Sequence, residues 1–422
     1  MAGGARVWSG RVALVSAAAL SLALAVGTVS GAVVTTGIHG TGTHTTGTHG
    51  TGTHPTGTTK ASGSHQAQAF RPPAIKHVWV IELENEGIGE TFGNPASQPY
   101  LATTLPGMGG LLEDYYSIGH NSLDNYIAEI SGQAPDPHTQ ADCPVWVPFA
   151  KSAKVTGRYH QLRGNGCVFP AKVQTLGNQL SARHLSWAAY MQDMGISPKR
   201  DHTTKTKQGP ACGHPKVGSF DDTEAATAKD QYAARHEGFM YFESVIGKKS
   251  YCDAHILSFK PLAKDLSKAS TTPNFSWITP NLCNDGHDTP CANGQPGGLT
   301  SITSFLKSWL PKIMDSPAYK TGMIVITFDE ASTSDSSACC GEKSGKSASH
   351  PNVAKPGLTG PGGGLVGAVV LSPFVKPGTV STVKYNHYSL LRSIEDIFKL
   401  SHLGDAAMPQ VQSFGPDVYT NP

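Results

Sequence analysis

His77-Val78-Trp79-Val80-Ile81-Glu82-Leu83 runs directly into Glu84-Asn85, and Met323-Ile324-Val325-Ile326-Thr327-Phe328 runs directly into Asp329-Glu330. Both runs are apolar at nearly every position, as strands buried on both faces are, and such strands belong to parallel sheets covered by helices. Residues 75–83, 185–191, 274–279, 323–328 and 365–371 all read as strands of this kind. Between and after them, Ile302, Phe305, Leu306 and Trp309 fall on one helical face, and Leu390, Leu391, Ile394, Ile397 and Phe398 on another. The alternation predicts an α/β fold with a largely parallel central sheet and helices on both faces. Ligands of such sheets bind beyond the carboxyl ends of the strands.

Those ends carry the polar residues. Glu84 with Asn85 and Asp329 with Glu330 offer hard oxygen ligands, and carboxylates brought together repel unless a proton or cation lies between them. One such pair alone reads as a helix or turn cap. Two pairs at one sheet edge predict a divalent metal ion. In Gly119-His120-Asn121-Ser122-Leu123-Asp124-Asn125-Tyr126, Ser122 stands at the start of a short helix, whose positive end favours a phosphate and a developing alkoxide. Asn125 is a further donor on the first turn. Asp285, His287 and Asp288 follow the strand 274–279 as a second metal- or phosphate-binding candidate, the alternative being a polar turn held by Cys283. His387 precedes the amphipathic helix expected from about Ser389, where a lone histidine more often caps or faces solvent. A Ser-His-Asp acyl hydrolase is disfavoured, because the sequence has no G-x-S-x-G elbow.

In this order the segments resemble the bacterial phosphoesterase family of acid phosphatases and phospholipases C, in the alkaline phosphatase superfamily. The resemblance rests on Glu84-Asn85 with Phe92-Gly93, on Ser122-Leu-Asp-Asn125-Tyr126, and on Ile278-Thr-Pro-Asn281 with Asp285 and His287-Asp288. It continues through Thr327-Phe-Asp329-Glu330 and His387-Tyr-Ser-Leu-Leu-Arg-Ser-Ile-Glu395, and Tyr232-Ala-Ala-Arg235-His236-Glu237-Gly238-Phe239 is also similar. It implies an alkaline phosphatase-like fold and hydrolysis of a phosphate ester through a phosphoserine on Ser122. Glu84, Asn85, Asp329 and Glu330 would then hold a metal with Ser122, while Asn125, His287 and His387 would contact phosphate or a second metal. Where phospholipase-type members continue Glu-Asn with Arg-Ser-Phe-Asp, this chain has Glu86-Gly-Ile-Gly89, so an acid phosphatase-like activity is expected ahead of a phospholipase C-like phosphodiesterase. A sulfatase is second-rank, since no Cys-x-Pro-x-Arg motif is present. The rival outside enzymology is a non-catalytic, disulfide-bonded surface protein.

The remainder bounds these readings. The 422 residues carry 33 Lys plus Arg against 31 Asp plus Glu, a net charge of +2 that argues against nucleic acid as a partner. Arg6 and Arg11 precede an uncharged run from Val12 to Val34 with small residues at Ser30-Gly31-Ala32, the order of a secretory signal peptide. Residues 1–34 are read as a signal, with an uncleaved anchor as the alternative, so a secreted or extracellular location is expected and no membrane insertion of the mature domain. Residues 35–70 form a His/Thr/Gly linker in which His39, His44, His49 and His54 recur at five-residue spacing. A catalytic domain over 71–422 follows. The eight cysteines suit an oxidising compartment and up to four disulfides, with Cys283 and Cys291 a short-range pair. Adjacent Cys339 and Cys340 would close a strained ring if joined. Oligomeric state is not legible.

Overall fold

A computed structural model describes residues 70–341 and 362–421. The signal, the anchor alternative and all of the His/Thr/Gly linker except Phe70 lie outside these residues.

One ten-stranded sheet organises the rest. Its strands are β1 (His77–Leu83), β2 (Gly110–Leu112), β3 (Trp187–Met191), β4 (Thr204–Lys205), β5 (Pro210–Ala211), β6 (Ile256–Ser258), β7 (Phe275–Thr279), β8 (Gly322–Phe328), β9 (Ala368–Leu371) and β10 (Thr379–Ser381). They lie in the order β10-β2-β9-β8-β1-β7-β3-β6-β5-β4. The five central strands β8, β1, β7, β3 and β6 are parallel. Every residue of β1 and β8 is buried, so both faces of the sheet are covered, as their unbroken apolar runs require.

Helices α1 (Ser122–Ser131), α2 (Gly298–Met314) and α3 (His387–Phe398) include the two expected amphipathic segments. In α2 the buried apolar side chains are Ile302, Phe305, Leu306, Leu310 and Ile313, with the expected Trp309 only half-buried, and in α3 Leu390, Leu391, Ile394 and Phe398 face the core, with the expected Ile397 half-buried. Helix α3 starts two residues earlier than the periodicity suggests. The side chain of Asn386 accepts from the Ser389 N–H at 3.0 Å and so fixes the start at His387. The run 365–371 narrows to β9, which pairs antiparallel with β8.

Four disulfides join Cys143 to Cys167, Cys212 to Cys252, Cys283 to Cys291, and Cys339 to Cys340. The last of these pairs the adjacent residues that the sequence reading holds apart. Among the described residues, no helix is long and apolar enough to cross a membrane.

Candidate active site

Register brings the two carboxylate pairs together. Leu83 is the partner of Phe328 across the parallel β1/β8 ladder, so Glu84 and Asp329 emerge side by side from the carboxyl edge. The Asp329 N–H donates to Leu83 O at 2.9 Å, and the Asn85 N–H donates to Asp329 Oδ1 at 2.9 Å. Asn85 adopts a left-handed backbone (φ 64°), a conformation asparagine tolerates better than most residues. From the neighbouring strand β7 the chain turns back so that the Glu84 N–H reaches Asp285 O at 2.9 Å. Gly286 is required in that turn. Its φ is 105°, and a Cβ there would lie 2.5 Å from Ile302 Cδ1.

Helix α1 supplies the hydroxyls. Ser122 is its first residue and Tyr126 lies one turn later on the same face. The Ser122 hydroxyl donates to Glu84 Oε2 at 2.7 Å and the Tyr126 hydroxyl to Glu84 Oε1 at 2.6 Å. His236 Nδ1 lies 3.0 Å from Asp285 Oδ2 and 3.3 Å from Glu84 Oε1, and its ring stacks on Tyr126. Glu84 is therefore shared between a serine side and a histidine side of one buried cluster.

Burial of several acids together governs its electrostatics. Glu84 is held well above the usual carboxylate range by desolvation first, then by Asp329 and Asp285. Asp329 is pushed up to about 7 by burial and by Glu330, and Asp285 is raised by burial above all. His236 is driven the opposite way, by burial and then by Arg235 and His287, which favours a neutral ring. Asp329 Oδ2 and His236 Nε2 are buried without a hydrogen-bond partner. Glu84, His236 and Asp285 offer ligand atoms within 4.8 Å of one another. Anionic oxygens, a neutral imidazole and orphaned acceptors are the donor set a divalent cation takes.

The other expected residues divide into three groups. Glu330 adjoins the cluster, its Oε2 accepting from His120 Nδ1 at 2.6 Å and from the Asn121 N–H at 2.8 Å, one residue before Ser122. His287 and Asp288 stand at the partly exposed mouth. There His287 Nδ1 lies 2.8 Å from Asp288 Oδ1 and its Nε2 3.2 Å from Arg235 Nη2, so Asp288 orients His287 and does not point into the cluster.

Asn125 and His387 are near but occupied elsewhere. The Asn125 amide closes the 118–121 loop, accepting from the Ile118 and Gly119 N–H groups and donating to Gly119 O and Asn121 O, all within 3.0 Å. His387 is fully buried behind Asp329. Its Nε2 meets Asp329 O at 2.8 Å, and its Nδ1 faces Glu129 Oε1 at 2.9 Å and Tyr115 Oη at 3.1 Å. Burial is the largest single influence and lowers the His387 pKa, but the Glu129 carboxylate and Asp329 together hold the ring above its ordinary value.

Sequence reasoning assigned no role to Tyr126, His120, Arg235 or His236. Arg235-His236 lies in a segment noted for resemblance, yet it belongs to an irregular stretch whose arrival at β1 no local periodicity announces.

The arrangement defines a class: an α/β protein whose parallel strands deliver a buried carboxylate–histidine centre to a serine on a helix N-terminus. The chain belongs to the Phosphoesterase family, whose pattern matches residues 98–401. That match contains every site residue above except Glu84 and Asn85. A phosphate-repressible acid phosphatase of Penicillium chrysogenum is 23% identical over 331 residues, covering 78% of this chain and 62% of that protein. A probable acid phosphatase of Kluyveromyces lactis is 23% identical over 333 residues, covering 78% and 60%. The chain thus spans under two thirds of the length of these relatives. A solved protein of the alkaline phosphatase superfamily from Vibrio parahaemolyticus is similar over 79% of this chain and 70% of its own, with 9% identity and a TM-score of 0.43.

Proposed function

We propose that the chain is an exported, metal-dependent phosphoric ester hydrolase of the acid phosphatase type, acting through a phosphoserine at Ser122. The observation that carries this reading is the Ser122 hydroxyl, at a helix N-terminus, donating at 2.7 Å to a carboxylate buried with Asp329, Asp285 and His236. The relatives' acid phosphatase names agree with it, and the eight paired cysteines agree with export.

Glu84, Asn85, Asp329 and Glu330 with Ser122 on one side, and Glu84, His236 and Asp285 on the other, are the residues that would hold the metal. A divalent cation bound among them would compensate their charge and favour the serine alkoxide. The protein's own groups do the rest. Ser122 Oγ gives up its proton along the hydrogen bond to Glu84 and attacks phosphorus, the ester P–O bond breaks, and the leaving alkoxide takes a proton from water at the partly exposed mouth, where His287 and Asp288 stand. Arg235, beside His287, offers a guanidinium to the phosphoryl oxygens. Water then attacks the phosphoserine, releasing inorganic phosphate and restoring Ser122. His387 and Asn125 hold Asp329 and the Ser122 loop in place. A purely structural surface protein has no use for so many carboxylates buried together, which cost stability.

The experiment is turnover of para-nitrophenyl phosphate and bis(para-nitrophenyl) phosphate with and without a chelator. Monoester hydrolysis lost on chelation and restored by a divalent cation is expected. Chelator-resistant turnover, or none with any added cation, contradicts the reading.

A further inference from the structure

The helix end that carries Ser122 already holds a carboxyl group of the chain itself. Asn121, the residue before the helix, has φ 84° and places no side-chain oxygen on the helix N–H groups. Its Nδ2 instead donates to Gln140 O, which draws the 139–142 turn across the helix start. From that turn Asp142 reaches back so that the Leu123 N–H donates to Asp142 Oδ1 at 3.0 Å. Burial raises the Asp142 carboxyl, while Arg235 and His287 favour its charged form, and it is in turn the foremost of the acidic groups that stabilise the Arg235 charge, ahead of Glu224 and Glu84. Asp142 and its neighbour Cys143 both have left-handed backbones, φ 54° and 49°, and the loop is tied down by the Cys143–Cys167 disulfide. Strained backbone held by surrounding structure is a mark of functional segments, and here it presents a negative charge to the nucleophile's helix.

A phosphoryl group attacked by Ser122 needs donors at this helix N-terminus and a cation nearby. Asp142 satisfies the same N–H and neutralises the same guanidinium. Resting on the hydrolase reading above, we propose that Asp142 is an internal competitor for the phosphoryl group, a specificity residue that weakens the hold of the site on phosphate esters and on the inorganic phosphate they release. Its consequence is easy product release at the expense of a higher KM. The plain rival is a tertiary helix cap with no bearing on ligand affinity.

Asp142→Asn separates the two. Asparagine tolerates a positive φ and keeps Oδ1 for the Leu123 N–H, so the cap survives while the charge goes. Asp142→Ala removes both. In the full chain, the competitive inhibition constant of inorganic phosphate and the KM for para-nitrophenyl phosphate should each fall about tenfold in both variants, with kcat changed less than about threefold. Unchanged or higher constants in a folded Asp142→Asn overturn the inference, as does an alanine variant that melts earlier while both constants stay put. If the wild type hydrolyses no phosphate ester, the hydrolase reading is lost. Calorimetric phosphate titration then decides the inference alone, with tighter binding by Asp142→Asn supporting it and equal binding overturning it.

Discussion

Two residues separated by 262 positions illustrate how one neighbourhood assigns different tasks. Asn125 and His387 both reach the surroundings of Ser122, yet each has its polar atoms spent on backbone or on a buried partner. His387→Ala would leave Glu129 buried without its cation and Asp329 O without its donor. Losing one partner of a buried pair costs about 3–5 kcal/mol. Denaturant unfolding should show a loss of that order, with activity falling alongside because the Asp329 backbone is no longer fixed. Ser122, Glu84 and Asp329 were legible as residues because strand ends and helix starts have local signatures. The inward burial of His387 was not, since a histidine before an amphipathic helix looks the same whether it faces solvent or core.

Elements were legible in proportion to their length and apolarity. The seven-residue strands β1 and β8 declare themselves by unbroken apolar runs. Strand β6, three residues long, offers no pattern, and the antiparallel direction of β9 depends on a connection that periodicity does not encode. The segment between α1 and the 139–142 turn is equally silent in sequence, but its chemistry is testable. Asp136 takes the His138 N–H at 2.8 Å, yet burial outweighs these backbone donors and raises its carboxyl to about 7. The unfolded carboxyl ionises near 3.8 while the folded one keeps its proton to about 7, so folding is favoured below the lower value. This contribution is lost as pH rises from about 4 to about 7, by up to about 4 kcal/mol. Asp136→Asn, which keeps Oδ1 but cannot ionise, should flatten the stability–pH curve in that window. Urea midpoints that decline with pH as steeply as in the wild type would refute this account of Asp136.

For the molecule as a whole, one edge of the sheet gathers Glu84, Asp285, Asp329 and Glu330, with Asp124, Glu82 and Glu129 buried close by. Like charges so placed favour any state that binds a cation between them. Chelation should therefore lower Tm by several degrees, and added divalent cation should restore it in step with activity. Calorimetry in buffers of different ionisation enthalpy should also detect proton release on metal binding, because ligating carboxylates must be deprotonated. An identical Tm with and without chelator would mean that these acids are held by protons alone.

The central claim is that Ser122 forms the covalent intermediate, and rapid quenching tests it most directly. Mixing the protein with a phosphate ester labelled in its phosphoryl group and quenching in acid should trap label on the peptide containing Ser122. Ser122→Ala should trap none and lose several orders of magnitude in turnover while keeping its fold. Label on another residue, or near-normal turnover by the alanine variant, would contradict the account.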